Sequence, residues 1–304
     1  MLFALKIFAA IVFYGAAIEP RFVDRLDERG AIPNLPASWE HQQVAVFADI
    51  QVGMWWANTD AARRAVERAV DVHPAMVLLA GDFVYNPTDA NIQGQIETVL
   101  SIVQPLVDSK IPTYAVLGNH DYNLMNEHSD QENRFARRVR VGLDSVGIRL
   151  LDNRSIALSA PRGADSLAVR GDSVAAAVLY LVGVGDKWAK NDHVDRALSQ
   201  VPANAPRLIF MHDPDSFVKI PANQGPLVIA AHTHAMQIVV PWVSDWAWRH
   251  YFSDSGSGLE GWVDAPHGQP GNRIYVNRGV GFSLFPVRIN AVPELTVFTL
   301  ERAK

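Results

Sequence analysis

The chain has 304 residues, 49% hydrophobic and 19% charged, with a net charge of −5 and no cysteine. This composition excludes a disordered chain, which needs low hydrophobicity together with high net charge. The missing cysteine excludes disulfides, thiolate metal sites and cysteine nucleophiles. The one basic cluster (Arg134, Arg137, Arg138, Arg140) falls within a single helical pattern, so no nucleic-acid partner is expected.

Residues 2–18 are apolar except for Lys6. Seventeen residues is the short edge of a membrane span, which takes about 20. Three readings fit the segment: an uncleaved anchor, a signal peptide cut after Gly15-Ala16-Ala17, or a buried core helix. The first gives a membrane-associated protein on an undefined side of the bilayer, the second a secreted or periplasmic one. Residues 19–40, with Pro20, Pro33 and Pro36 among mixed charges, read as a connector. Residues 41–304 read as one domain.

From residue 44 short apolar runs alternate with helical patterns. Strands are expected at 44–48, 76–80 and 113–117, with helices at 61–70, 92–107 and 132–146 between and after them. Strands that are apolar throughout and alternate with helices imply parallel βαβ units. Shorter strands are expected beyond, at 156–158, 166–169, 178–184, 207–211, 227–231, 237–240, 273–277 and 295–300. Two packed sheets with helices outside fit this order.

Each early strand ends in a polar cluster: Asp49-Ile50-Gln51, Gly81-Asp82 and Gly118-Asn119-His120-Asp121. Loops after strand C-termini are where parallel sheets bind ligands. A single charged residue capping a strand is ordinary turn chemistry, but three in succession are not. Two later strands run into His212-Asp213 and His232-Thr233-His234. Carboxylate, amide and imidazole donors without sulfur have the composition of a two-metal centre and suit Mn²⁺, Fe or Zn²⁺.

This series resembles the calcineurin-like metallophosphoesterases, whose pattern is D-x-H, GD, GNHD/E, H and GHxH. The motifs cover residues 44 to about 240, in the same order. The segments 275–281, 286–288 and 293–295 are similar to the bacterial, often membrane-anchored branch that includes UDP-2,3-diacylglucosamine hydrolases. The resemblance implies the four-layer αββα fold, a two-sheet β-sandwich flanked by helices. It further implies that a hydroxide held between two divalent metal ions hydrolyses a phosphodiester or pyrophosphate bond, a lipid-linked substrate being one that this branch takes. Mn²⁺ is the leading candidate, with Fe, Zn²⁺ or Mg²⁺ as alternatives. By the same resemblance Asp82 bridges the metals. Asp49, Gln51 and His234 complete one site, and Asn119, His212 and His232 the other. His120 is then the general acid or a donor to the transition state, oriented by Asp121.

Gln51 stands where most members have His, a change that favours Mn²⁺ or Mg²⁺ over zinc. It also resembles the soluble ADP-ribose/CDP-alcohol diphosphatase branch, which stays open as an alternative, as does a silent metal-binding scaffold. Ala231 replaces the usual Gly, and Ala235-Met236 replaces two glycines, making the expected pocket wall bulkier and more apolar. Trp55, Trp56, Trp242, Trp246 and Trp248 fit either core packing or an apolar rim for an acyl chain or bilayer. Arg249, Arg278 and Arg288 are candidate phosphate contacts, His128 the one unassigned histidine near a motif, and residues 253–261 a flexible loop.

Overall fold

The computed structural model describes residues 2–54, 59–128, 130–161, 178–263 and 267–303. The expected strand at 166–169, together with Trp55 and Trp56, lies outside them. The apolar N-terminal segment is a helix, α1 (Leu2–Ala17). It is followed by β1 (Asp24–Ile32), β2 (Gln43–Phe47), α2 (Thr59–Val72), β3 (Met76–Ala80), α3 (Ile92–Asp108), β4 (Thr113–Val116) and α4 (Asn133–Ser145). Then come β5 (Arg149–Leu150), β6 (Arg154–Leu158), β7 (Leu179–Gly183), α5 (Val194–Leu198), β8 (Arg207–Phe210) and β9 (Val228–Ala230). The series closes with α6 (Val243–Ala247), β10 (Gly261–Trp262), β11 (Ile274–Val276) and β12 (Glu294–Arg302).

The strands form two six-stranded mixed sheets, ordered β1-β12-β2-β3-β4-β5 and β10-β11-β9-β8-β7-β6. In the first, β2, β3, β4 and β5 run parallel; in the second, β7, β8, β9 and β11 do. Side chains on successive strand residues point to opposite faces, and that alternation divides each apolar run between two cores. Val44, Val46, Leu78 and Val116 meet Leu181, Leu208, Phe210 and Ile229 between the sheets. Ala45, Phe47, Val77 and Leu79 face the other way, onto Ala65 of α2, Val99 of α3 and Val139 of α4. Val182, Ile209 and Ala230 of the second sheet pack outward on Val194 and Ala197 of α5. The result is four layers, helix–sheet–sheet–helix, as expected.

Two expectations change. Residues 19–40 are more than a connector, because they contain β1, whose nine residues pair in parallel with the whole of β12. The exposed Arg25, Asp27 and Arg29 alternate with the less exposed Asp24, Leu26 and Glu28, so as an edge strand it presents a polar outer row, the device that keeps sheet edges from pairing with other chains. Segment 237–240 is not a strand but a single bridge, Ile238 to Ile289. Residues 234–237 all have positive φ, which turns the chain away from the sheet.

Candidate metal centre

The loops after β2, β3, β4, β8 and β9 converge at one edge of the two sheets. Five of the seven expected metal ligands, Asp49, Gln51, Asp82, His232 and His234, have φ between +47° and +72°. Left-handed backbone is uncommon for such residues, and it collects where surrounding structure imposes it for function.

Two groups of donor atoms meet there, with Asp82 common to both. In the first, His234 Nε2 lies 3.4 Å from Asp49 Oδ1, and Asp49, Asp82 and His234 offer ligand atoms within 4.8 Å of one another. The Gln51 amide lies beside them, donating through Nε2 to Asp82 Oδ2 at 3.1 Å with His234 Nε2 at 2.9 Å; a half-turn of the amide would present Oε1 to an ion instead. In the second, Asn119 Oδ1, His212 Nε2 and His232 Nδ1 form a triangle with sides of 3.0 to 3.2 Å. Asp82 Oδ2 lies 3.2 Å from His212 Nε2.

Supporting bonds aim these atoms. His212 donates Nδ1–H to the Ala80 carbonyl at 2.7 Å, which leaves the Nε2 lone pair facing the triangle. Asn119 donates Nδ2–H to the Leu124 carbonyl at 2.8 Å, turning Oδ1 inward. Asp49 is seated by the loop after β11: the Val280 and Gly281 amides donate to the Ala48 and Asp49 carbonyls at 3.0 and 2.7 Å. A Cβ at Gly279 would collide with Asp49 Oδ2. Segment 275–281, whose motif alone gives it no role, thus seats Asp49.

Among the described residues, both Asp49 carboxylate oxygens and Gln51 Oε1 are buried without hydrogen-bond partners. Buried acceptors of that kind are costly unless something satisfies them. The charges are equally unsettled. Burial pushes the Asp49 carboxyl up to about 7, against the pull of His212. Burial works on Asp82 too, yet the imidazoles of His212, His120 and His232 hold it below the carboxylate range. His232 is driven down to about 3 by burial and by His212, and His234 well down by burial and Arg288. Carboxylate and neutral imidazole are the forms that ligate metals. His232 and His234 are held in that form, whereas His212, against its burial, is raised well above the usual imidazole range by Asp82 and Asp49. Divalent cations would draw Asp49 and His212 to their deprotonated forms and satisfy the unpaired acceptors. The donor set fits such ions.

His120 is buried at the edge of the centre, Nε2 3.9 Å from Asp82 Oδ2, with its ring tilted against Tyr85 at 4.7 Å. The expected Asp121–His120 bond is absent, and His120 Nδ1 has no partner among the described residues. Asp121 instead accepts from the amides of Asp82, Phe83, Val84 and Gly118 at 2.9 to 3.2 Å. It ties the β3 and β4 loops together, so its part is to position Asp82. Three arginine expectations also change. Arg288 is fully buried and spent on the carbonyls of Arg278, Gly281 and Ala291. Arg278 pairs with Glu294 at 2.7 Å, and Arg249 with Asp245 at 2.7 Å. His128 is exposed. Residues 253–255 do not form a free loop, since Ser253, Asp254 and Ser255 all donate to Asp215. Ala231 packs beneath the centre against Ala48 and Ala80, whereas Met236 does face the pocket.

The centre opens into a cavity of about 520 Å³. Asn119, His120, His232 and His234 lie on its floor, and Trp188, Met236, Trp248 and Leu284 are among its mainly apolar walls. Trp188, whose ring meets His232 edge-on at 5.0 Å, carries no sequence signal because no motif surrounds it.

The family profile described as calcineurin-like phosphoesterase matches residues 43–236. The chain belongs to that family and is a metal-dependent phosphoester hydrolase. Among its relatives, phosphodiesterase YaeI of Escherichia coli is 28% identical, over 78% of this chain and 74% of its own. The UDP-2,3-diacylglucosamine pyrophosphatase LpxG of Chlamydia muridarum is 24% identical over 92% and 90%. A zebrafish transmembrane protein with metallophosphoesterase domain is 27% identical, over 99% of this chain and 62% of its own.

Proposed function

We propose a dinuclear phosphoesterase, held to a membrane by α1, that hydrolyses a phosphodiester or pyrophosphate bond in a lipid-linked substrate. The observation that carries it is the pair of donor groups sharing Asp82 on the floor of a cavity with apolar walls. Asp49, Gln51, Asp82 and His234 would hold one ion, and Asp82, Asn119, His212 and His232 the other. Two divalent ions, when bound, supply Lewis-acid polarisation of the phosphoryl group and a nucleophile competent at neutral pH. The residues do the rest. Asp82 and Asp49 bring negative charge against which the cations settle, and the neutral Asn119 keeps the loaded centre positive enough to attract phosphate. His120, on the cavity floor, donates a proton toward the departing oxygen. The apolar walls exclude water and accept the hydrocarbon part of the substrate. The pyrophosphatase relatives named for an acylated sugar nucleotide support this substrate class.

The test measures bound metal per chain and Mn²⁺-dependent cleavage of an aryl phosphodiester, with His120→Ala and Asp82→Asn beside the parent. Two ions and loss of turnover in both variants are expected. One ion or none, or turnover unchanged in both variants, overturns the dinuclear reading. Gln51 favours a second reading, a diphosphatase for soluble nucleotides. Faster cleavage of ADP-ribose than of a detergent-dispersed acylated sugar nucleotide would decide for it.

A further inference from the structure

The surface around the cavity mouth carries an unusual concentration of bare apolar side chains. Outside residues 1–18, nine of the twelve exposed large hydrophobic residues among the described ones fall in two segments, 238–252 and 284–285. Trp242 is 92% exposed, Tyr251 70% and Leu284 67%. The two segments are neighbours, because Gln237 donates through Nε2 to the carbonyls of Phe285 and Val287, and Val239 donates to Ile289.

One continuous helical piece, α6 and the π-helical turn Trp248–Phe252, builds both the cavity wall and this bare face. Trp248 and Phe252 stack on each other at the wall, while Trp242, Trp246 and Tyr251 stand outward. The same strip of chain roots the N-terminal helix. Gly15 of α1 abuts Val287 and Ile289, its carbonyl accepts from the Arg288 amide at 2.8 Å, and Glu19 accepts from the Asn290 and Ala291 amides. Residues 3–14 are exposed along the whole helix. A helix apolar enough to span a bilayer thus leaves the body beside the bare face.

We propose that this face is a membrane-binding surface, in which Trp242, Trp246, Tyr251, Leu284 and Phe285 lie in the interfacial layer and hold the cavity mouth against the lipid. The inference rests on reading α1 as a membrane helix. The rigid root of α1 fixes the bilayer on this side of the molecule. Tryptophan and tyrosine favour the headgroup layer, and a short amphipathic segment beds about 5–10 Å into it. A substrate carrying an acyl chain then enters the cavity without crossing water.

Because the chain has no cysteine, the full-length protein accepts one fluorophore at each of Trp242→Cys, Tyr251→Cys and Leu284→Cys. Lys110→Cys, beyond α3 at the opposite end of the parallel strands, is the distant control. Each variant is placed in phosphatidylcholine vesicles with a minor fraction of phosphatidylglycerol and a nitroxide-labelled lipid, and metal content reports its folding. Several-fold quenching at 242, 251 and 284, with none at 110, is the expected result. Vesicle-bound protein with all three positions unquenched overturns the surface and leaves the anchor standing. Protein that does not stay with vesicles overturns both. Disulfide crosslinking of unlabelled Trp242→Cys copies to one another under oxidation, with the labelled protein unquenched, assigns the face to self-association and also overturns the proposal.

Discussion

Arg288 Nη2 lies 3.3 Å from Nδ1 of His234, and the same residue's backbone amide donates to Gly15 of α1. One fully buried residue therefore touches both the candidate metal centre and the root of the N-terminal helix. Burial lowers its guanidinium to about 10, still charged at neutral pH.

Replacing Arg288 tests that junction. Lysine offers one ammonium where the guanidinium serves the carbonyls of Arg278, Gly281 and Ala291. Leaving buried acceptors unpaired costs about 1–3 kcal/mol each. Arg288→Lys is expected to lower Tm, and Mn²⁺ affinity should fall ~10-fold as the segment 278–281 that seats Asp49 loosens. Calorimetry and metal titration read the two effects separately.

Asp121→Asn should damage the centre without touching a ligand. Asparagine has one acceptor oxygen for the four amides now bound, and its NH₂ would face N–H donors. We expect a stability loss of about 2–4 kcal/mol from the broken bonds and a lower kcat through misplacement of Asp82. Denaturant unfolding and steady-state kinetics check it. An Asp121→Asn protein as stable as the parent would contradict the tie between the loops.

At Gly279, φ is +67° and there is no space for a Cβ beside Asp49. Gly279→Ala is expected to displace Asp49 and halve the bound metal, sparing the group built from Asn119, His212 and His232. Metal analysis on the folded variant reads it directly, and full loading would show that Asp49 is dispensable.

Gln51→His places an imidazole between Asp82 and His234, exchanging a hard amide oxygen for a borderline nitrogen donor. The expected outcome is a shift in preference from Mn²⁺ toward Zn²⁺, read by competition between the two ions. An unchanged preference would remove Gln51 from the ligand set.

Asp215 supplies an acid limb to stability. Burial works to raise its carboxyl, but Ser253, Ser255, the Asp254 amide and Lys187 hold it below the ordinary 3.8. A carboxyl lowered on folding contributes stability that is complete above its unfolded pKa and is lost as pH falls through the folded value. Asp215→Asn should therefore destabilise the protein near neutrality and flatten the decline below about pH 4, where unfolded aspartates protonate. Unfolding midpoints across an acid series measure this.

The strands β2, β3 and β4 were legible in the sequence because each carries a continuous apolar run, and the helices beside them carry regular stripes; both patterns are local. The candidate donors were legible for the same reason. Asp49, Asp82 and Asn119 each end a strand, and His212, His232 and His234 end two more. What the residues do to one another was not legible. Gln51 and His234 are 183 residues apart and meet only because the second sheet packs on the first. Asp121 looks like a partner for the histidine beside it, yet its oxygens go to backbone amides on another loop. The charged segment 24–32 reads as a connector, since an edge strand owes its place to β12 at the far end of the chain rather than to its own pattern. The apolar face beside the cavity belongs wholly to the tertiary structure, because tryptophan in a sequence fits a core as well as a surface, and only packing leaves Trp242 bare.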